Sequence, residues 1–277
     1  MLGNPFQERV RLAGGSTKKD PSAEIWRHYK PQEFKLYQED FATWDGSVSS
    51  NVGTYYGESG SWRSYEDTGA TILPLATEVD GVLRLTLDTT DNDSASIQLG
   101  STTSVQIQPS RGVTTAGTDK VCMMEARVRV TLVADNYNLF VGMMEEGSIA
   151  DSFFVDAGGA VIDKDFIGFA VHEDDGNALD VEYKTSGQTL DNTSDVFTLV
   201  AATWYKLGWI YRPTDPVAER IKFYVDGAEQ SDARITATNM AAATFPDEQE
   251  MGFVMGIGGT GTAVTVDLDW VAIAQEM

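Results

Sequence analysis

A period-two alternation of apolar and polar residues runs through this chain from about residue 39 onward. Its longest example begins at Val121 and places two sets of side chains on opposite faces: Cys122, Met124, Ala126, Val128, Val130 and Leu132 against Met123, Glu125, Arg127, Arg129 and Thr131. Because successive side chains of a strand point to opposite faces of its sheet, this pattern predicts a long strand with one face in a core and one face in water. A helix of the same residues would have no apolar stripe.

Further strands follow, with turn residues between them. Phe166–Val171 and Leu179–Tyr183 flank Asp175-Gly176, which predicts a hairpin, and Asp226-Gly227 predicts a second tight turn. The only helical candidate of the body is Asn239–Ala243. Roughly ten to fourteen strands without alternating amphipathic helices predict an antiparallel β-sandwich.

Composition excludes several classes of protein. The 277 residues carry a formal net charge of −22, which argues against nucleic acid as the main partner, since phosphate contacts need clustered Lys and Arg. A single cysteine excludes a disulfide framework, and the two histidines, His28 and His172, are too far apart in sequence to predict a multi-histidine metal site. We find neither an apolar run long enough to predict a membrane span nor the pattern of a secretion signal.

The first 37 residues differ from the rest in charge, because basic side chains outnumber acidic ones there while the remainder is strongly acidic. No regular period holds in this segment, apart from one short helical turn predicted near Ala23–Tyr29. We predict an extended N-terminal arm at residues 1–38 and a sandwich domain at residues 39–277. Its large apolar and basic residues predict a partner-binding arm, with these side chains as the candidates: Phe6, Arg9, Arg11, Leu12, Trp26, Tyr29 and Phe34. The alternative interpretation is a flexible terminus.

The second half of the chain has a recognisable order of segments. The aromatic strand Trp204–Tyr211 precedes Ile221–Gly227, which ends in Tyr-Val-Asp-Gly, and the closing strand contains Val266–Val271. Earlier, Glu125–Val128 and Phe140–Met143 are similar to the first core strands of the same kind of domain. This order resembles the concanavalin A-like lectin/glucanase superfamily, which includes laminin G-like domains. The resemblance implies an all-β fold, an antiparallel jelly-roll β-sandwich, over nearly the whole body.

The glucanases of that superfamily have three carboxylates in the pattern Glu-apolar-Asp-x-x-Glu on one strand, where nucleophile and acid stand about 5–5.5 Å apart. We find no such triplet in the sequence. The nearest pair, Asp267 and Asp269, lacks the third acid, and we interpret it as facing solvent. Glu145-Glu146 and Glu173–Asp175 are interpreted as solvated loop acids, and Gly256–Gly261 as a hairpin loop. These interpretations predict that the chain is not an enzyme and has no catalytic residues.

Three groups of residues are candidates for a sugar site, in which polar groups, aromatic rings and often a calcium ion cooperate. They are the acidic group Asp88, Asp91, Asn92 and Asp93, the group Asp135, Asn136 and Asn138 around Tyr137, and the aromatic residues Trp44, Tyr55, Tyr56 and Trp62, which we expect to be exposed. Turn residues and core aromatics are the alternative interpretation of all three. We predict no cofactor and no metal ligand, and we keep calcium only as the ion that the lectin alternative would use.

A β-sandwich without recognisable chemistry, preceded by an apolar and basic arm, resembles virion proteins of tailed bacteriophages. The resemblance implies a non-enzymatic capsid decoration (cement) protein that binds the major capsid protein, or another virion protein, and stabilises the head. It also implies a virion assembled in the host cytoplasm and a homo-oligomer, a trimer by analogy, with neither nucleic acid nor membrane as partner. One alternative is a glycan- or receptor-binding lectin-like module of a phage tail or fibre. The other is a glycoside hydrolase of the same fold.

Overall fold

The structure is a computed structural model, and it describes residues 21–42, 44, 52–57, 60–75, 78, 81–100, 120–131, 137–149, 153–155, 160–246 and 250–277. Within these ranges the chain forms two eight-stranded antiparallel sheets, A and B, and a separate two-stranded hairpin. The predicted antiparallel β-sandwich is confirmed.

Strands are numbered in chain order. Sheet A contains, in spatial order, β16 (Ala228–Glu229), β15 (Ile221–Val225), β14 (Thr203–Tyr211), β7 (Cys122–Val130), β18 (Thr265–Glu276), β5 (Leu83–Thr86) and β4 (Thr71–Pro74), with β1 (Phe34–Glu39) also paired to β18. Sheet B contains β13 (Asp191–Thr198), β12 (Ala178–Lys184), β11 (Phe166–Val171), β8 (Tyr137–Glu145), β17 (Met251–Thr260), β6 (Asp91–Leu99), β3 (Gly60–Glu66) and β2 (Val52–Gly57). The separate hairpin joins β9 (Phe154–Val155) to β10 (Ala160–Val161).

Helices are short. Helix α1 (Ala23–Trp26) lies where the sequence predicts a helical turn. Helix α2 (Ala237–Met240) begins two residues before the predicted segment, because the Thr236 side chain accepts a hydrogen bond from the Asn239 N–H and caps it. Two 3₁₀ turns occupy Val217–Glu219 and Ser231–Ala233. No helix in the described ranges is long and apolar enough to cross a membrane.

The core lies between the two sheets and follows the predicted alternation. Cys122 and Met124 of β7 are fully buried there, and Phe169 of sheet B meets Phe223 of sheet A edge to face, with ring centroids 5.5 Å apart. Each such large apolar side chain contributes about 1.5–3 kcal/mol of burial free energy. The turn predictions are confirmed as well, since Gly176 and Gly227 have φ of +63° and +80°.

The alternation predicts that the outer face of β7, meaning the face turned away from sheet B, is in contact with water. In the structure this face is covered. Glu125 has no exposed area, and its Oε2 accepts hydrogen bonds from the Ser22 N–H at 3.0 Å and from Trp26 Nε1 at 2.8 Å. Burial raises the pKa of Glu125 above its usual range. Segment 22–29 therefore forms a third layer over sheet A, which a period-two pattern within β7 cannot reveal.

Three of the predicted arm residues are described, and they pack together: Trp26 and Tyr29 of this layer with Phe34 of β1. Trp26 and Phe34 are 1% and 6% exposed and pack with Trp270 of β18, and Tyr29 lies edge to face with Phe34 at 5.7 Å. The predicted boundary at residue 38 falls inside β1, which pairs with the end of β18. The other arm candidates lie outside the described residues: Phe6, Arg9, Arg11 and Leu12. Burial within the chain explains the apolar character of Trp26 and Phe34, and a partner-binding role for the arm stays a prediction.

Candidate functional site

An aromatic cluster covers part of the outer face of sheet B. Phe140 and Phe166 project from β8 and β11, and they pack with Phe153, which precedes β9, and with Phe154, the first residue of β9. The glycines of β17 make room for them, since a Cβ on Gly256 would stand 2.3 Å from the Phe153 ring. The interpretation of Gly256–Gly261 as a hairpin loop is wrong for residues 256–260, because these residues are inside β17, and only Gly261 lies in the turn.

A small polar pocket opens beside Phe154, where β6, β17 and β8 run side by side. Ser94, Gly258 and Asn138 occupy one rung across these three strands, and Glu173 follows the end of the next strand, β11. The complete lining comprises Asn92, Asp93, Ser94, Asn138, Phe154, Glu173, Gly258 and Gly259. Four strands, β6, β8, β9 and β17, and the segment after β11 thus contribute to one pocket.

Asn138 and Glu173 hold each other at the centre of this pocket. The Asn138 Nδ2 donates to Glu173 Oε2 at 3.2 Å, and the Glu173 backbone N–H donates to Asn138 Oδ1 at 3.0 Å. This reciprocal pair fixes the orientation of the carboxamide and of one carboxylate oxygen. Such fixed donors and acceptors suit the recognition of hydroxyl groups.

Asp93 supplies a second carboxyl group to the pocket. It is 6% exposed, and burial, followed by the neighbouring Asp88 and Asp67 carboxyls, raises the pKa of Asp93 to about 6. A carboxyl group with that pKa exists in both protonation states near neutral pH. It can therefore take part in acid–base chemistry.

A second polar group lies on the β11–β12 hairpin, next to the pocket. His172 Nε2 is 2.6 Å from Glu182 Oε1, and Glu182 has no exposed area. Asp180 lies two residues before Glu182 on the same face of β12, and its Oδ1 accepts from the Asp195 N–H at 2.8 Å. Burial raises the pKa of Asp180, and the Glu182 charge adds to the effect.

Two small residues of β11 lie directly opposite these acids. Gly168 and Ala170 are the cross-strand partners of Glu182 and Asp180. Ligand atoms of His172, Asp180 and Glu182 all lie within 4.8 Å of one another, and so do those of the set Asp175, Asp180 and Asp195. We call the two polar groups together, the pocket and the hairpin triad His172–Asp180–Glu182, the polar strip.

The structure unites two of the three predicted candidate groups. Asn92 and Asp93 come from one group and Asn138 from another, and all three line the pocket. Asp88 and Asp91 do not line it. Asp135 and Asn136 lie outside the described residues, as do the side chains of Tyr55 and Tyr56.

The prediction of exposed tryptophans is wrong. Trp62 has no exposed area and Trp44 is 8% exposed. Both rings pack edge to face on Phe41, and Trp62 also meets Phe253 of β17. They are core residues and cannot stack on a sugar ring.

The interpretation of Asp267 and Asp269 as solvent-facing is also wrong. Asp267 has no exposed area and binds Arg84 at 2.6 Å and Arg129 at 2.6 Å, on the two strands beside β18. Asp269 is 3% exposed and forms an ion pair with Arg127. A bulge between Leu268 and Trp270 places both acids against arginines of the sheet. Their role is structural.

Sequence reasoning missed the hairpin triad. The available signal is the alternation on β12, which puts Asp180 and Glu182 on one face, together with the predicted hairpin that returns β11 and His172 beside them. Glu173, interpreted as a solvated loop acid, instead lines the pocket and pairs with Asn138.

No protein-family model and no curated protein matches the sequence. Among solved structures, an endo-1,3-β-glucanase from Streptomyces sioyaensis superposes with a TM-score of 0.54 at 15% identity, covering 90% of this chain and 98% of that one. Peanut lectin in complex with a nine-residue peptide gives 0.53 at 10% identity, covering 88% and 97%. An endo-β-1,4-glucuronan lyase from Trichoderma reesei gives 0.51 at 13% identity, covering 86% and 94%.

These neighbours correct the prediction that the chain is not an enzyme. That prediction depended on the absence of one carboxylate triplet from a single strand, whereas the fold of this chain is also that of a glucanase and a lyase. In this structure Asp93 lies on β6, Glu173 follows β11, and Asp180 and Glu182 lie on β12, so a search for three acids on one strand does not detect this set. Enzymes and lectins share this architecture, and the chain has the concanavalin A-like jelly-roll fold of the lectin and glucanase structures.

Proposed function

We propose that this chain binds a carbohydrate through the polar strip on the outer face of sheet B. The observation that carries the proposal is the small pocket in which Asn138, Glu173 and Asp93 present polar atoms, with room for one hydroxyl group of a sugar that lies on the surface of the sheet. Fixed hydrogen-bonding groups of this kind match the hydroxyl groups at the edge of a sugar ring.

The structural neighbours support this proposal. By their names, the three compared proteins are a glucanase, a glucuronan lyase and a lectin, and the superposition covers most of each chain. Their likeness to this chain is one of fold, so the choice of ligand depends on the residues of the strip itself.

The charge of the strip favours a neutral sugar. Asp93, Glu173, Asp180 and Glu182 all lie in it, and His172 is its basic member. Carboxylates repel an acidic polymer such as glucuronan, whereas they accept hydrogen bonds from the hydroxyl groups of a neutral glucan. We therefore expect neutral oligosaccharides to bind and uronic acid polymers not to bind.

Titration calorimetry with neutral β-glucan oligosaccharides, and with glucuronan oligosaccharides as the acidic comparison, tests the proposal. Asn138→Ala removes the carboxamide that holds Glu173, and we expect at least tenfold weaker binding of the neutral ligand. Asn192→Ala is the matched control, because Asn192 is an exposed asparagine of β13, outside the pocket, whose side-chain amide donates to Ser194 Oγ. Equal losses in both variants, or no binding of any neutral glycan at millimolar concentration, would contradict the proposal.

A second candidate is cleavage of the bound glycan, which the Asp93 carboxyl group favours. Glycosidases use two carboxyl groups, one protonated and one ionised, and Asp93 has a pKa of about 6 in the pocket that Glu173 also lines. Release of reducing ends from a glucan is the measurement. We expect Asp93→Asn to lower the rate at least a hundredfold while binding persists, and retained activity in this variant would exclude this pair.

The virion and capsid-decoration role stays a prediction. Since Trp26 and Phe34 are buried within the chain, attachment to a particle would depend on the remaining candidates: Phe6, Arg9, Arg11, Leu12 and the partly buried Tyr29. Co-sedimentation with particles, before and after deletion of residues 1–20, tests that role independently of glycan binding.

A further inference from the structure

We propose that His172, Asp180 and Glu182 form a binding site for a divalent transition-metal ion, with Zn²⁺ as the ion of choice. The site lies on the β11–β12 hairpin, beside the glycan pocket and separate from its lining. Metal binding can be measured without any sugar, so this proposal does not depend on the proposed function.

The positions of the donor atoms support an ion. The three ligand atoms lie within 4.8 Å of one another, and His172 Nε2 is already 2.6 Å from Glu182 Oε1. Ligand atoms about 2.1 Å from a tetrahedral Zn²⁺ are about 3.4 Å apart. Side-chain rotations alone can therefore bring the three groups around one ion.

The second carboxylate oxygen of Glu182 is an independent observation. Glu182 has no exposed area, and its Oε2 finds no hydrogen-bond partner among the described residues. A buried carboxylate oxygen without a partner is costly in free energy. A cation beside Glu182 would satisfy it.

The charges around the triad are not balanced by basic side chains. Within the described part of the chain, neither Asp180 nor Glu182 forms an ion pair with Lys or Arg. Asp175 and Asp195 bring two further carboxylates close to Asp180. A divalent ion would offset the repulsion that these groups exert on one another.

The donor set selects the class of ion. One imidazole nitrogen and two carboxylate oxygens suit Zn²⁺, and three protein ligands leave a fourth position open for water or a substrate oxygen. Calcium prefers six to eight oxygen ligands and no nitrogen, so it is expected to bind here more weakly than zinc.

Calorimetric titration of the full chain with Zn²⁺, after treatment with EDTA and dialysis, tests the site. We expect one ion per chain, and at least tenfold weaker binding in Glu182→Gln and in His172→Gln. Asp174→Asn is the matched control, because Asp174 is an exposed acid of the same hairpin turn outside both ligand sets, and its affinity should equal that of the original chain. Far-UV circular dichroism checks that each variant is folded, and His172→Gln serves if the buried Glu182 variant is not.

The result that would overturn the proposal is an absence of Zn²⁺ binding, or binding that His172→Gln leaves unchanged. Tighter binding of Ca²⁺ than of Zn²⁺, lost in Asp195→Asn and kept in His172→Gln, would also overturn it and assign the ion to Asp175, Asp180 and Asp195. Glycan binding that persists in His172→Gln, together with lost Zn²⁺ binding, would separate this site from the pocket.

Discussion

The outer faces of the two sheets carry buried acids in opposite circumstances. On sheet A, Asp267 lies between Arg84 and Arg129, and Asp269 pairs with Arg127. The guanidinium groups of Arg127 and Arg129 also lie 4.3 and 4.4 Å from the ring centroid of Trp204.

On sheet B, Asp180 and Glu182 are buried with only His172 as a basic partner in the described ion pairs. Removing one partner of a buried ion pair destabilises a fold, whereas a buried charge without a basic partner itself lowers stability, a cost that is typical of functional sites. The comparison supports a structural role for the acids of sheet A and agrees with the binding role that we propose for the polar strip.

The largest effect is expected on sheet A, from Asp267→Asn. The change leaves Arg84 and Arg129 without the anion between them, and removing one partner of a buried ion pair costs about 3–5 kcal/mol of unfolding free energy. Urea denaturation monitored by tryptophan fluorescence measures it. Asp163→Asn is the control, because the Asp163 side chain is 59% exposed in its pair with Lys184 and should matter by less than about 1 kcal/mol.

A smaller loss is expected on sheet B from Gly256→Ala. The new Cβ would stand 2.3 Å from Phe153 Cε1, and overpacking of this kind costs about 1–3 kcal/mol. Gly259→Ala is the comparison variant, since its Cβ would meet the flexible end of Leu87 at 3.2 Å. Equal unfolding free energies for the two variants would show that packing of the aromatic cluster does not require a glycine at position 256 of β17.

The free energy of unfolding should depend on pH through the raised pKa of Asp93. Its pKa of about 6 in the folded chain is above the ordinary value of 3.8, so the folded state holds this proton more tightly than the unfolded state. The contribution of Asp93 is therefore fully present below about pH 4 and is lost as pH rises through about 6, a decrease of about 3 kcal/mol. Asp93→Asn should flatten this part of the profile, and an unchanged slope would contradict the assignment.

The smallest expected effect is an increase in the free energy of unfolding, from Asp180→Asn. Asp180→Asn removes a charge that burial disfavours and keeps the oxygen that accepts from the Asp195 N–H, so the metal-free chain should gain about 0.5–1 kcal/mol at pH 8. Chemical denaturation in EDTA measures the change. If Asp180→Asn and Asp267→Asn destabilised the chain equally, the distinction between the two faces would fail.

The sandwich could be predicted because strands and turns are defined by patterns of residues that are close together along the chain. The alternation along Cys122–Val130 defines which face of β7 enters the core, and Asp226-Gly227 defines a turn whose residues both have positive φ. The same alternation cannot predict that Glu125 is buried, because its cover comes from Ser22 and Trp26, about a hundred residues away along the chain.

The candidate site was predictable only in pieces. The sequence singles out Asp93 and Asn138, but their convergence depends on β17, which places Gly258 between β6 and β8. The ionic role of Asp267 likewise depends on arginines from β5 and β7 and on a bulge that no spacing rule reveals. Strand order across a sheet is a property of the folded chain, and pairs of residues that meet through it leave no local signal.

The pairing of β1 with β18 brings Phe34 opposite Glu276, so sheet A joins segments from nearly opposite ends of the sequence. At a synthesis rate of about 5–20 residues per second, β18 leaves the ribosome on the order of ten seconds or more after β1. Throughout that delay the backbone of β1 lacks its final partner. Closure of this sheet is therefore a late event, and the nascent chain is most vulnerable to mispairing just before it.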